Sequence, residues 1–308
     1  MKDVIVVMST YNGGSNIERQ LDSILSQRKC NIRIFIRDDG STDNTCDIIN
    51  SYIQRHNLSN IILTRGCNEG FQKSFWDALS ECGHADYYAF SDQDDVWYEE
   101  KLIKCIDKME SDIKYSGAKM AYCRFRRTDP DLRPYNEQTI LLSPERITPK
   151  IALTKIFAYG ASIVINDKAR HLICKCFPKN MTKTGAGHDA WAGTLCVWFG
   201  KIYYVDEALY NWIRYDNSVT GDGTKWNGYR YILSQIFLKK TTYMNPAPYL
   251  LHYYNDLLKT DEKEFLNMVV NYKHHLLYRI KLICDKDFKR DTLKGTLLLK
   301  FSILRGIY

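Results

Sequence analysis

Short runs of Val, Ile, Phe and Tyr alternate, over the first 95 residues, with stretches whose apolar side chains recur at helical spacing. Uninterrupted apolar runs of four or five residues read as strands buried on both faces, which a parallel sheet covered by helices provides. Val4–Met8, Ile32–Ile36, Ile61–Leu63 and Tyr87–Phe90 are such runs. Between them, Ile17, Leu21, Ile24 and Leu25 mark one helix, Ile48, Ile49, Tyr52 and Ile53 a second, and Phe71–Leu79 a third. Ser15 and Glu18 stand at capping-box spacing before the first. Strands alternating with helices predict an α/β, doubly wound, mainly parallel sheet with right-handed crossovers.

Polar clusters follow three of these strands: Thr10-Tyr11-Asn12, Asp38-Asp39-Gly40-Ser41 and Asp92-Gln93-Asp94-Asp95. In open α/β sheets ligands bind outside the carboxyl ends of the strands, so the three loops are expected to share one rim. Further along, Lys101–Met109 reads as a helix, Ala118–Phe125 and Gly160–Ile165 as strands, and Arg126–Lys150 as a long surface loop. His188–Phe199 reads as a helix with Trp191, Leu195 and Trp198 on one face, and Lys201–Val205 as a late strand. Helical patterns at Tyr249–Leu258 and Phe265–Cys284 dominate the remainder.

Charge divides the chain. After Asp222 there are fifteen Lys and Arg against seven Asp and Glu, so a net charge of +7 rests on a basic back and a near-neutral front. The front lacks Arg and Lys interleaved with aromatics, which argues against nucleic-acid binding. Ten cysteines without a CxxC pair argue against a zinc site or a disulfide framework and for free thiols in a reducing cytoplasm. No apolar run approaches the roughly 18 residues a membrane-spanning helix needs. Met1–Met8 carries neither the basic region nor the cleavage site of a signal peptide.

Three carboxylates within four residues repel one another, and a hard cation offsets the cost. Mg²⁺ or Mn²⁺ takes one or two carboxylates together with substrate phosphate oxygens, and Asp92 and Asp94 are the candidates to hold it. The pair Asp38-Asp39 exceeds what capping the next helix requires, and one of them could accept from the imide N–H of uracil or thymine. In Gly187-His188-Asp189-Ala190-Trp191, Asp189 stands at a helix start. It suits a general base for a sugar hydroxyl, with Trp191 as a flat face for the ring.

The ordered segments Val-Ile-Val-Val-Met-Ser-Thr-Tyr-Asn-Gly, Asp-Asp-Gly-Ser-Thr-Asp, Asn-Glu-Gly-Phe, Ser-Asp-Gln-Asp-Asp-Val-Trp and Gly-His-Asp-Ala-Trp together resemble a family-2 glycosyltransferase of the GT-A fold, in its rhamnosyltransferase-like subgroup. The resemblance spans roughly Met1 to Gly221. It implies a GT-A domain over 1–222 and leaves 223–308 as a helical, basic extension. It implies that Thr10, Tyr11 and Asn12 line the nucleotide pocket, largely through backbone, and that Asp39 holds the base. Asn68, Gly70 and Lys73 approach the nucleotide. Asp92 contacts ribose or metal, Asp94 binds the metal, and Asp38, Asp95, His188 and Arg214 support them. Asp189 deprotonates the acceptor. The subgroup usually carries a Tyr-Arg-Gln-His-like segment after the late strand; here Trp212-Ile213-Arg214-Tyr215 puts Tyr215 where the His is expected and Arg214 as the positive charge.

The expected reaction is inverting, metal-dependent transfer of glucose, galactose or rhamnose from a UDP- or dTDP-activated donor to a lipid- or protein-linked glycan. The expected place is the cytoplasm or the inner face of the membrane. A non-catalytic nucleotide-sugar-binding scaffold is the alternative. A sugar-phosphate nucleotidyltransferase would need a basic phosphate loop after the first strand, and Thr10–Gly14 has no Lys or Arg. In the extension, Phe265, Met268, Val269, Tyr272, Leu276 and Tyr278 are expected to pack a homo-oligomer. Lys294, Lys300 and Arg305 with Leu297–Leu299, Phe301 and Ile303 are expected at a membrane surface.

Overall fold

The apolar runs do pair side by side. In the computed structural model, which describes residues 1–138, 141–179, 187–215 and 245–308, β1 (Lys2–Thr10) lies parallel to β2 (Cys30–Asp38) and to β4 (Tyr87–Ser91), and β2 lies parallel to β3 (Ile61–Arg65). The crossovers are α1 (Ile17–Leu25), α2 (Thr45–Arg55) and α3 (Phe71–Glu81). Val4 to Met8 are almost completely buried, as strands covered on both faces must be. Parallel register sets Thr10 opposite Asp38 and Met8 opposite Ser91, so three strand ends come level on one rim.

The rest of the sheet is mixed. After β5 (Val96–Trp97) and α4 (Lys101–Glu110) come β6 (Lys119–Thr128), β7 (Pro134–Gln138), α5 (Pro149–Ala152), β8 (Ile163–Asn166), α6 (Asp167–Cys174), α7 (His188–Phe199) and β9 (Lys201–Ile213). The strand order is β3-β2-β1-β4-β8-β6-β9-β5, with β7 pairing β6. β8 runs antiparallel to β4 and β6, whereas β6 and β9 run parallel through two register shifts. The outcome is a mixed α/β fold with a mainly parallel first half.

Local expectations fail where hydrogen bonding finds another partner. The capping box at Ser15 does not form: Asn16 is the cap residue, and no side chain caps it. Arg126–Lys150 is not one loop. β6 runs on to Thr128 and turns into β7, with Arg126 opposite Gln138 and Thr128 opposite Pro134. Thr148 then caps α5 by accepting from the Ile151 N–H. β9 continues from the expected Lys201–Val205 to Ile213, because β6 and then β5 offer it partners along its length.

The chain divides into two compact units. One contains Met1–Pro144, Phe157–Phe177 and Gly187–Tyr215 and carries the sheet. The other gathers Glu145–Ile156, Pro178 and Lys179 with the described residues after 244. The expected boundary at 222/223 lies outside the described residues. The second unit holds α8 (Ala247–Tyr253), α9 (Thr260–Asn271), α10 (Leu276–Cys284) and α11 (Leu293–Leu304). Its core is aromatic: Phe288 meets Phe265 and Tyr308 edge-on at 5.4 and 5.5 Å, and the Tyr308 hydroxyl donates to the Leu153 carbonyl at 2.9 Å. The single stripe expected from Phe265 to Tyr278 is therefore broken. Phe265, Val269 and Tyr272 are buried by the unit's own residues, the chain turns at 272–275, and Leu276 belongs to another helix.

Candidate active site

The loop after β4 carries the densest charge. Asp92 and Asp94 are half-buried, and Asp95 is fully buried. Burial pushes Asp92 up to about 7, helped by the charges of Asp94 and Asp189. Burial also raises Asp94, against the Arg19 guanidinium of α1. Asp95 is raised well above its ordinary value by burial, Asp92 and Asp94, and neither of its oxygens makes a full hydrogen bond. Beneath the loop, the ammonium of fully buried Lys101 lies over the Trp97 ring, 3.1 Å from its centroid. Burial lowers it to about 8 against the pull of Asp95 and Asp92. Among the described residues no three His, Cys, Asp or Glu side chains close around a metal position. Hard oxygen donors with uncompensated negative charge nonetheless fit a divalent cation that takes two carboxylates and completes its shell with phosphate.

Gln93, inside the same loop, ties it to the first strand end. Its amide accepts from the Tyr11 N–H at 2.9 Å and donates to the Tyr11 carbonyl at 3.1 Å. Asn12, at φ 49°, accepts from the Thr42 N–H at 2.9 Å and donates its own N–H to the Ser41 hydroxyl. Thr10 and Asp38 are buried and bonded to each other at 3.1 Å, and Asp38 also accepts from the Ser41 N–H. The side chains of Thr10, Asn12 and Asp38 thus build the rim, while Tyr11 is exposed on it.

Asp39 is 3% exposed, and its carboxylate is already occupied. It accepts from Arg37 at 2.9 Å, from the Glu69 N–H at 3.1 Å and from the Gly70 N–H at 2.9 Å. Arg37 also reaches Glu69 at 3.3 Å and Asp77 at 3.2 Å. Asp39 therefore anchors the loop that carries exposed Asn68 instead of offering both oxygens outward. Gly40, at φ +80°, allows the approach: a Cβ there would stand 3.0 Å from the Asn68 nitrogen. Lys73 is turned along its own helix to pair with Asp77.

On the far side, Asp189 lies in the first turn of α7 and accepts from the Ala190 N–H at 2.7 Å. Burial raises it to about 6, while the amides of Ala190, Asp189, Gly160 and Gly187 oppose the rise. His188 is wedged between Phe75 and Phe90, at 3.8 and 4.6 Å between centroids, with neither ring nitrogen bonded. Burial lowers it to about 3, so it is neutral. Trp191 does not present a face to a ligand. It is 1% exposed, and its indole N–H donates to the Cys176 carbonyl, because the apolar face of α7 turns into the core. Two exposed rings flank this turn: Phe71, 44% exposed, whose edge would stand 3.1 Å from a Cβ at Gly187, and Tyr159, 44% exposed, one residue from Gly160 and stacked on Trp212 at 6.1 Å.

At the end of β9, the Tyr215 hydroxyl accepts from Arg19 at 2.7 Å and donates to Asn16 at 3.0 Å. Arg214 has its guanidinium 5.0 Å from the Trp212 ring centroid. The cation whose charge reaches Asp94 is Arg19.

The sequence model described as Glycosyl transferase family 2 matches residues 5–176. The chain belongs to that family. A dTDP-rhamnosyl transferase of Shigella flexneri, RfbG, is 41% identical over 103 residues, which are 32% of this chain and 36% of that protein. This chain thus spans about a third of RfbG. A putative teichuronic acid biosynthesis glycosyltransferase of Bacillus subtilis, TuaG, is 26% identical over 77% of this chain and 91% of its own. The crystal structure of S. aureus TarS 1–349 with UDP superposes with a TM-score of 0.55 at 17% identity, over 92% of this chain and 75% of that one. At that identity TarS shows the shared GT-A fold.

In this family-2 chain the residues singled out by sequence divide by what the fold does with them. Asp92, Asp94, Asp95 and Asp189 converge electrostatically. Tyr11, Asn68 and Gly70 border the rim loops. Thr10, Asn12, Asp38, Asp39 and His188 are committed to internal contacts, and Trp191 to the core. Sequence reasoning missed Arg37, Gln93, Arg19, Lys101 and Tyr159. Only Lys101 left a signal, as a Lys at a helix position whose neighbours Leu102, Cys105 and Ile106 are all core.

Proposed function

We propose that this chain moves a sugar from a UDP- or dTDP-activated donor to a hydroxyl of a lipid- or protein-linked glycan, with inversion, in the assembly of a surface polysaccharide or glycoprotein. One observation carries the reading: a crowded carboxylate loop and a separate carboxylate, Asp189, bear on one another at the strand-end rim. The likeness to a protein named as a dTDP-rhamnosyl transferase makes dTDP-rhamnose the first donor to test, and UDP-sugars the second.

Asp92 and Asp94 would hold Mg²⁺ or Mn²⁺. Such an ion supplies charge neutralisation to the diphosphate as it leaves. Asp95, buried behind them with Lys101, fixes the loop and its charge balance. The loops bearing Tyr11, Asn68 and Gly70 border the nucleotide, with Asp39 and Arg37 holding the second of them in place. The acceptor oxygen bonds to the anomeric carbon as the bond from that carbon to the diphosphate oxygen breaks. Its proton passes to Asp189, whose value near 6 leaves it ionised at neutral pH and still a useful base. Neutral His188 fills the space beneath Asp189 without competing for its charge. Tyr159 offers the acceptor sugar the flat face expected of Trp191.

The test is a panel of nucleotide sugars with the metal present. Slow hydrolysis of a dTDP- or UDP-sugar, lost when the metal is chelated, is the expected result. Binding without any turnover would favour the scaffold reading, and neither binding nor turnover would overturn both.

A further inference from the structure

We infer that α10 and α11 of the second unit form a docking face for an anionic lipid surface. On α11, Leu293, Leu297, Phe301 and Leu304 recur every three or four residues along one outward stripe; on α10, Leu276 and Ile280 do the same. These six side chains are between 38% and 78% exposed. The inward positions are filled: Leu282, Leu299 and Ile303 are buried. The outward stripes are therefore surplus to the unit's own core, and water is a costly neighbour for them.

Charge identifies the occupant. From Lys273 to Tyr308 there are nine Lys and Arg and three Asp. Asp285 and Asp291 are paired with Lys150 at 2.6 Å and with Lys155, so Asp287 is the one acidic side chain there outside an ion pair. Exposed Lys281, Lys294 and Arg305 each adjoin a stripe residue. Lys300, expected among them, is not available: it donates to the Leu282 and Asp285 carbonyls at 2.6 and 2.7 Å and closes the end of α10. A second copy of this face would set one basic rim against another, which is repulsive. An anionic bilayer instead accepts the apolar stripe between its headgroups and pairs with the rim. α11, with 12 residues, is about 18 Å long by helix geometry, and no described helix is long and apolar enough to cross a membrane. The face lies on the bilayer.

The experiment floats the full chain with vesicles of phosphatidylcholine alone or mixed with phosphatidylglycerol. The chain is expected to float with the mixed vesicles, weakly or not at all with phosphatidylcholine, and less at high salt. Lys281→Glu and Lys294→Glu should each lower partitioning by at least about fivefold. Leu297→Glu with Phe301→Glu should abolish it, with an unchanged circular dichroism spectrum and melting midpoint. Failure to float with the mixed vesicles overturns the inference, as does flotation that the variants leave intact. A dimer by light scattering that Leu297→Glu dissociates would assign the face to a second copy and overturn it too. None of these readouts depends on glycosyl transfer, so this inference and the transferase reading fail separately.

Discussion

At the scale of single residues, the site is a problem in like charge. Burial raises Asp92, Asp94 and Asp95; the charges of Asp94 and Asp189 add to the load on Asp92, and those of Asp92 and Asp94 to the load on Asp95. Such an arrangement is costly until a cation arrives. Asp94→Asn should therefore leave the fold intact or slightly firmer while nearly all transfer is lost; wild-type turnover in Mn²⁺ would show that Asp94 is not a ligand. Asp189 answers to a different measurement. A general base acts only when ionised, and its value is raised to about 6, so turnover at saturating metal should be flat above that pH. Below it, turnover should fall by about tenfold per unit as the carboxylate takes up its proton. Asp189→Asn should lower kcat by about 10² to 10⁴ and remove that limb, with donor affinity kept. A pH profile that survives the substitution would place the base elsewhere.

At the scale of elements, what matters is how α7 is seated. Its first turn carries the base, and its seat is the tilted packing of the His188 ring against Phe75 and Phe90. Gly160 closes that packing from the side: a Cβ there would stand 2.3 Å from the His188 ring nitrogen. With Phe75 and Phe90 packed against it, the ring has little room to step aside. Gly160→Ala should cost about 1–3 kcal/mol by overpacking and should lower kcat more than it weakens donor binding, because the displaced turn carries Asp189. Chemical denaturation and a KM-against-kcat split would show it. An unchanged kcat in a destabilised protein would mean that the seat is structural only. On the other side of the rim, buried Arg37 pulls Asp39 and Asp77 to one point and brings the strand end of β2 to the loop before α3. That contact fixes where Asn68 stands.

At the scale of the whole molecule, ligand and stability are coupled. Whatever binds the folded state alone stabilises it, by about 2.7 kcal/mol at a hundredfold excess over Kd, and so raises the melting midpoint. UDP or dTDP with Mn²⁺ should raise the midpoint clearly, either nucleotide with a chelator much less, and Mn²⁺ alone slightly. Equal shifts with and without metal would separate nucleotide binding from the carboxylate loop. The second unit stands on its own aromatic core of Phe265, Phe288 and Tyr308, reached from Leu153 far back in the chain. The segment Glu145–Ile156 belongs to that unit although the sheet continues after it, an exchange that no local pattern announces.

The order of residues is enough to set the alternation of buried strands and helices, the rim where three polar loops meet, and the carboxylates there. These follow from local rules: period, strand-end chemistry and the spacing of like charges. It could not determine which polar side chains the fold would consume. Asp39 and Asp92 look alike in the chain, yet Arg37 and two backbone amides close around Asp39, while crowding leaves Asp92 in need of a cation. Trp191 and Tyr159 are both aromatic residues near the base, and only the packing of α7 decides that the first is core and the second surface. The continuation of β9 from Val205 to Ile213 and the hairpin of β6 with β7 were illegible for the same reason. Their residues become strand only when a distant partner offers hydrogen bonds, and such long-range pairing exists in the tertiary structure alone.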